Sequence, residues 1–310
     1  MATQPSSLSS KRGNLAGLWT LARPVNVAIA AATFLLLKFG WLARWDDGNL
    51  VGNLTGWPLV EGMLVVALLM MSGNWINAYF DVHEDRINRP DRALVGRSVK
   101  RRVLIVAHQV VNGAGLLIAA HLSWTLQVWT PLWMAGGISY ILWQYSARWK
   151  STPLFGNVAV AALLGMVPLW LAALEAPMAS DLIRPRLWGY MGGYGALAMG
   201  VGLVRELAKD AMDIEGDRLA GKHTLAVRRG ESVIRSWCIR LLLTIAVGYA
   251  AGVLVWSNPL HEAVLWMAPL PFCIHAFVVL SLPRIKWSTL SRSMLLILMT
   301  GGLQCLWIPV

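Results

Sequence analysis

The sequence predicts an all-α, polytopic membrane protein with nine transmembrane helices, and three observations carry that prediction. Of the 310 residues 56% are hydrophobic and only 14% charged, against about 25% charged in an ordinary soluble domain. The mean hydropathy is +0.55, and the apolar residues run in stretches near the roughly 20 residues needed to cross the hydrocarbon core. The positive charges, finally, collect on one side of those stretches. A disordered chain is excluded by the same figures, and a soluble globular enzyme is not expected.

Taken in order, the stretches lie at about 25–42, 59–79, 103–122, 127–146, 154–174, 187–205, 238–256, 263–282 and 293–309. With the amino terminus in the cytoplasm and the spans alternating, the first inside segment is 1–24, a tail and entry segment with 3 bases. After the second span comes 80–102 with 7, and between the fourth and fifth 147–153 with 2. The segments 205–240 and 283–292 follow the sixth and eighth spans and hold 8 and 3. That accounts for 23 of 27 bases, leaving Lys38, Arg44, Arg184 and Arg186 outside. Lys/Arg bias of this kind sets membrane orientation, so the net charge of +11 needs no nucleic-acid partner. Many of the 17 tryptophans fall near span ends, where indole rings favour the interface. Cys238, Cys273 and Cys305 show no CxxC spacing, which supports neither a disulfide framework nor a zinc site. Residues 25–310 are therefore read as one domain, capped on its cytoplasmic side by the loops 80–102 and 205–237.

Those two loops also hold ten of the 16 acids. In the first, Asn77, Asp81 and Asp85 are four apart, and at 3.6 residues per turn they line one face of a helix leaving the membrane. In the second, Asp213 and Asp217 repeat the step, with Asp210 one turn earlier. Both share Asp-x-x-x-Asp-Arg at the cytoplasmic end of a span, 132 residues apart. Carboxylates converging from two such faces repel one another unless cations bind between them. Mg²⁺ suits such a site, taking one or two carboxylates, waters and the phosphate oxygens of a substrate. The plainer reading is a pair of solvated faces in which the acids bridge to neighbouring arginines.

At these residues the chain resembles the UbiA superfamily of intramembrane prenyltransferases. Asn77, Asp81 and Asp85 match its Asn-Asp-x-x-Asp-x-x-x-Asp motif, and Asp213 and Asp217 match its second Asp-x-x-x-Asp motif. Arg23-Pro24-x-Asn26 is similar to its amino-terminal Arg-Pro element. Tyr145-Ser146, Lys150 and Gly156-Asn157 are similar to its Tyr…Lys…Gly-Asn segment, and Gly221-Lys222-His-Thr224-Leu225 to its Gly-x-x-Thr-Leu. One position departs: the Asp after the motif's Asn is Ala78 here, about 100° off the Asn77–Asp81–Asp85 face. Asp85-Arg-Ile-Asn88-Arg89-Pro90-Asp91-Arg92 is similar to the branch of digeranylgeranylglyceryl phosphate synthases and chlorophyll synthases, without its Pro-Ser-Gly.

The resemblance implies a nine-helix fold, Mg²⁺, and prenyl transfer from a polyprenyl diphosphate, expected to be geranylgeranyl, to a lipophilic acceptor such as geranylgeranylglyceryl phosphate. Quinone-precursor and chlorophyllide-type acceptors remain alternatives. On this reading Asp81, Asp85, Asp213 and Asp217 hold the metal, Asn77 and Asp210 support them, and Arg23, Asn26, Tyr145, Lys150, Lys209 and Lys222 face the diphosphate. The location implied is the cytoplasmic membrane of a prokaryote, with the site facing the cytoplasm. From other classes, an ion-coupled transporter would carry its acids near the midplane, and a CDP-alcohol phosphotransferase would carry an Asp-Gly-x-x-Ala-Arg pattern that is absent. Gly216–Lys222 nearly spells a phosphate-binding loop, but His223 stands where the magnesium-binding hydroxyl belongs.

Overall fold

A backbone in hydrocarbon must satisfy its own hydrogen bonds, and a helix does so within one segment. The computed structural model, which describes residues 15–42, 54–88, 93–256 and 270–304, is built accordingly. Among the described residues there is no strand beyond an isolated bridge between Val95 and Val99.

Helix α1 (Leu15–Leu21) meets the next helix at 51°. The bend falls at Arg23, in the left-handed region at φ 53°, ψ 60°, before Pro24. Proline lacks the N–H that a continuing helix would need, and its fixed φ suits a first helical position. The chain then forms α2 (Pro24–Leu35), extended by a π-helical turn over Leu36–Trp41, then α3 (Gly56–Phe80) and the short α4 (Val82–Asn88). Next are α5 (Arg101–Thr125), α6 (Thr130–Ala147), a 3₁₀ turn at Trp149–Ser151, α7 (Phe155–Glu175) and α8 (Arg184–Met212). The last are α9 (Ile214–Leu219), α10 (Leu225–Arg229), α11 (Glu231–Trp256), α12 (Leu270–Ser281) and α13 (Trp287–Gln304).

Among the described residues α3, α5, α7 and Glu231–Ala251 of α11 are long and apolar enough to cross a membrane, and α1 with α2 makes a fifth if the bent pair is one span. The other expected spans coincide with α6, α8, α12 and α13. Residues 263–269 and 305–309 of the last two lie outside the described residues, as does the expected tail up to residue 14.

Helices α7 and α8 form the most extensive pair. A methyl built on Gly165 or Gly195 would lie 2.6 or 2.7 Å from the other's carbonyl oxygen, so the two backbones touch there. One apolar core joins α2, α3, α7 and α8 around Phe34, Trp170, Leu171 and Leu187. A second joins α8, α11, α12 and α13 around Leu207, Ile234, Leu280 and Leu290. Trp287 Nε1 closes it by donating to Glu231 Oε1 at 2.5 Å. A smaller third core packs Ala22, Trp75, Ala78, Val95, Val99 and Leu104.

Polar groups separate to the two ends of the bundle. The carboxyl ends of α3, α6 and α8 meet the amino ends of α2 and α7 at one end. At the other, Lys38 pairs with Glu175, both almost fully buried. Exposed Trp57, Trp124, Trp129 and Trp133 stand at the helix ends of that second region.

Candidate active site

The two aspartate motifs are built alike. Helix α3 ends at Asp81 (φ −81°, ψ 8°) and α8 ends at Asp213 (φ −103°, ψ 12°). A short helix restarts at once in each case. The Asp85 N–H donates to the Asp81 carbonyl at 2.8 Å, and the Asp217 N–H to the Asp213 carbonyl, also at 2.8 Å. The four-residue step thus survives each break, and the two short helices α4 and α9 are in contact.

Between α6 and α7 the chain turns so that Lys150 reaches the first motif. Its Nζ contacts Asp81 Oδ2 and lies 3.3 Å from Asn77 Oδ1, while Asn77 Nδ2 donates to Asp81 Oδ2 at 2.8 Å. The amide is thereby oriented, nitrogen to the carboxylate and oxygen to the ammonium. Gly156 makes this turn possible. A methyl there would lie 2.7 Å from the Trp149 carbonyl oxygen and 3.0 Å from Lys150 Cα. The next residue, Asn157, donates to Asp210 Oδ2 at 2.8 Å.

The strap after α9 brings Lys222 under the second motif. The Lys222 N–H donates to the Asp217 carbonyl at 2.9 Å, and the His223 N–H donates to Ser151 at 3.1 Å, docking the strap on the Lys150 turn. Gly221, at φ +73°, supplies the left-handed residue that this turn needs. Lys222 Nζ is then 3.4 Å from Asp217 Oδ1 and 3.4 Å from Glu84 Oε1, which ties the two motifs together through one ammonium.

Arg23 is held from behind. Asn74 Nδ2 donates to the Ala22 carbonyl at 2.8 Å, and Trp75 Nε1 to that of Leu18 at 2.9 Å. Its charge acts on Tyr145, Glu206 and Lys209, and Asp81, Asp210 and Glu206 act on Tyr145 as well. The Asn26 N–H bonds the Arg23 carbonyl at 2.9 Å. Lys209 Nζ is turned to Glu206 Oε1 at 2.5 Å, with Arg205 3.3 Å from the same oxygen. Asp85 and Asp213 are half-buried, whereas Asp81 and Asp217 are buried.

Burial and neighbouring charges together set the protonation balance beyond the apolar run of α8. Burial pushes Asp210 up to about 7, helped by Glu206 and Asp217 and opposed by Asn157 and Lys209. It raises Asp217 too, against the pull of Lys222. For Lys222 burial works the other way, but Asp217, Asp81 and Glu84 outweigh it and hold the ammonium charged. Glu206 stays low despite burial, because Lys209, Arg205 and Arg23 surround it. Lys209 is lowered by its own burial, against Glu206.

Carboxylates and one amide make an all-oxygen donor set of the kind Mg²⁺ takes. Among the described residues no three carboxylate, imidazole or thiol groups converge on one point; Lys150 and Lys222 supply the counter-charge to Asp81 and Asp217. The donors suit a cation that arrives coordinated by phosphate more than one enclosed by protein. Two participants were not singled out from sequence, Glu84 and Glu206, and Asn157 was named only within a motif, without a role. Asn157 had a signal in the Gly156-Asn157 pair and Glu206 in its four-residue step to Asp210, but Glu84 is off the Asp81–Asp85 face. The Arg89–Arg92 part of the branch-like motif lies outside the described residues.

A family model described as the UbiA prenyltransferase family matches residues 27–299. Digeranylgeranylglyceryl phosphate synthase of Methanopyrus kandleri is 32% identical over 240 residues, 76% of this chain and 79% of the relative. The synthase of the same name from Halobacterium salinarum is 34% identical over 247 residues, 77% of this chain and 80% of the relative. In fold, the chain is similar to a solved structure from work on the same synthase in membranes, with TM-score 0.69, 19% identity and coverage of 95% and 98% of the two chains. It is likewise similar to a UbiA homologue from Archaeoglobus fulgidus bound to DMAPP and Mg²⁺, with TM-score 0.61, 18% identity and coverage of 93% and 98%.

Proposed function

The chain belongs to the UbiA prenyltransferase family and is a membrane prenyltransferase, and from that premise we propose that its two aspartate ladders bind a prenyl diphosphate through Mg²⁺. The donor is geranylgeranyl diphosphate and the acceptor geranylgeranylglyceryl phosphate, a reading supported by relatives at 32% and 34% identity named for that product. The observation that carries the site is the matched pair of helix breaks at Asp81 and Asp213, whose short helices touch and share Lys222.

Asp81, Asp85, Asp213 and Asp217 are the proposed metal ligands, with Asn77 and Asp210 behind them. When bound, Mg²⁺ neutralises the departing diphosphate. Lys150, Lys222 and Arg23 add positive charge where the leaving group gathers negative charge, Lys as a point charge and Arg as a fork. Asn77 fixes the Asp81 carboxylate, and Asn157 fixes Asp210. Asn26 and Tyr145 line the approach from α2 and α6, while Lys209 reaches a phosphate only by leaving Glu206. In the reaction the allylic C–O bond to diphosphate breaks, the acceptor hydroxyl oxygen bonds the same carbon, and its proton is released. The strap 220–224 over the Lys150 turn is a cover that keeps water from the cation.

The nine apolar stretches are proposed as spans with residues 1–24 and the caps 80–102 and 205–237 in the cytoplasm of a prokaryote, and residues 25–310 as one domain. Helix within every stretch supports this, as does the gathering of α3, α6 and α8 carboxyl ends at the basic side. The test is diphosphate release from geranylgeranyl diphosphate by purified protein, with and without Mg²⁺ and across an acceptor panel. Release that needs Mg²⁺ and rises with geranylgeranylglyceryl phosphate is expected. Folded protein that releases none with any donor or acceptor overturns the reading.

A further inference from the structure

A basic cleft at the start of α5 continues into an apolar groove, and it borders α4, where a methyl on Gly96 would lie 2.9 Å from Arg86 Nη2. The cleft, of about 370 Å³, is lined by Gly96, Arg97, Val99, Lys100, Arg101 and Arg102. The groove, of about 550 Å³, begins at the same Arg102 and follows Val103, Val106, Ala107, Val110 and Val111. Val106 and Val110 are more than half exposed, so this face of α5 is turned outward. From residue 93 to 125 the sequence has four bases and no Asp or Glu. The charged groups of this segment are thus all basic, and they stand next to the open apolar face of α5.

The cleft has a built wall. Val95 and Val99 are buried, and a methyl on Gly17 would meet Val99 Cγ2 at 2.3 Å, so the 93–99 loop is wedged against α1. Arg101 lies 4.3 Å from the centre of the Tyr79 ring, which holds that guanidinium to the back of α3.

We propose that cleft and groove bind one bilayer lipid with an anionic phosphate headgroup. The phosphate sits among Arg97, Lys100, Arg101 and Arg102, and the first carbons of one chain lie along Val103, Val106 and Val110, about 10 Å of helix. Clustered Lys and Arg beside a span attract anionic headgroups, and guanidinium forks bind phosphate oxygens in pairs. The bound lipid braces the loop that packs with Trp75 and Ala78 behind the first aspartate ladder. This inference does not rest on the proposed reaction.

The test is lipid retention by the full chain, purified in detergent and examined by native mass spectrometry and thermal shift with phosphatidylglycerol or phosphatidylcholine. Phosphatidylglycerol is expected to be retained and to raise Tm, while phosphatidylcholine does neither. Arg97→Gln/Arg102→Gln is expected to weaken retention about thirtyfold, at two neutralised charges. Val106→Asn/Val110→Asn is expected to weaken it with all four bases present, and chain-free glycerol phosphate is not expected to compete. Equal retention of the two lipids, or undiminished retention by the Arg variant at wild-type Tm in phosphatidylcholine, overturns the proposal. So does competitive displacement by geranylgeranylglyceryl phosphate with a raised KM for it in the Arg variant, which would make the cleft an acceptor site.

Discussion

Asp81 and Asp213 close their helices in the same way, each as the last residue before a break and each accepting at 2.8 Å from the N–H of the Asp four residues on. Equivalent positions imply equivalent losses. Asp81→Asn and Asp213→Asn are each expected to lower kcat for diphosphate release about 10²- to 10³-fold with the fold retained, as when one group serving a developing charge is removed. The double variant is expected to fall short of the product of the two, because the ladders act on one leaving group. Single-turnover assays on variants with wild-type Tm check this.

Lys150→Met removes the ammonium from Asp81 and Asn77. Its expected signature is a lower kcat and a weaker donor, with Lys150→Arg restoring only part, since a planar fork does not replace a point charge. Steady-state kinetics against geranylgeranyl diphosphate concentration separate the two parameters.

Much of this site is legible in the sequence because it is local. Asn77, Asp81 and Asp85 announce a shared face by their spacing alone, and so do Asp213 and Asp217. A continuous helix was the natural expectation, yet the helix stops at the first Asp of each pair while the register carries on. The bridge that Lys222 makes between Asp217 and Glu84 was not legible, because a strap folding over a turn some 70 residues earlier in the chain carries Lys222 to a carboxylate on α4. Lys38 reads in sequence only as a charge on the wrong side. Its partner Glu175 is 137 residues away, and no periodicity links the two.

Ala78 stands where the family motif has Asp, and it is buried beside Trp75, Val99 and Leu104 instead of facing the ladder. Ala78→Asp is therefore expected to lower stability by about 1–3 kcal/mol, the cost of an unsatisfied buried polar group, without raising kcat. A faster or equally stable variant would count against that placement.

Asp210 gives a pH test. In the folded chain it stays protonated up to about 7 against an ordinary 3.8, so the folded state binds the extra proton between those values. Stability then falls as pH rises through that window and the loss is complete above it. Asp210→Asn, permanently neutral, is expected to flatten this slope and to gain in Tm over the wild type more at pH 8 than at pH 5. Melting curves in a chelating buffer measure it.

Lys38→Met strands the Glu175 carboxylate in the bundle, where breaking a buried pair costs about 3–5 kcal/mol. Lys38→Met/Glu175→Leu is expected to recover most of that loss. Failure of the double variant to recover would mean that the pair does more than balance charge.

The contact between Gly165 and Gly195 works as a gauge for the chemistry far below it. With no side chain between the two backbones, α8 cannot slide along α7 without collision, and a slip of one helical turn would move Asp210 about 5.4 Å from Asn157. A scaffold that must admit prenyl tails of other lengths keeps this seam and reshapes its remaining walls. Selection for new donors should accordingly be silent at these two glycines.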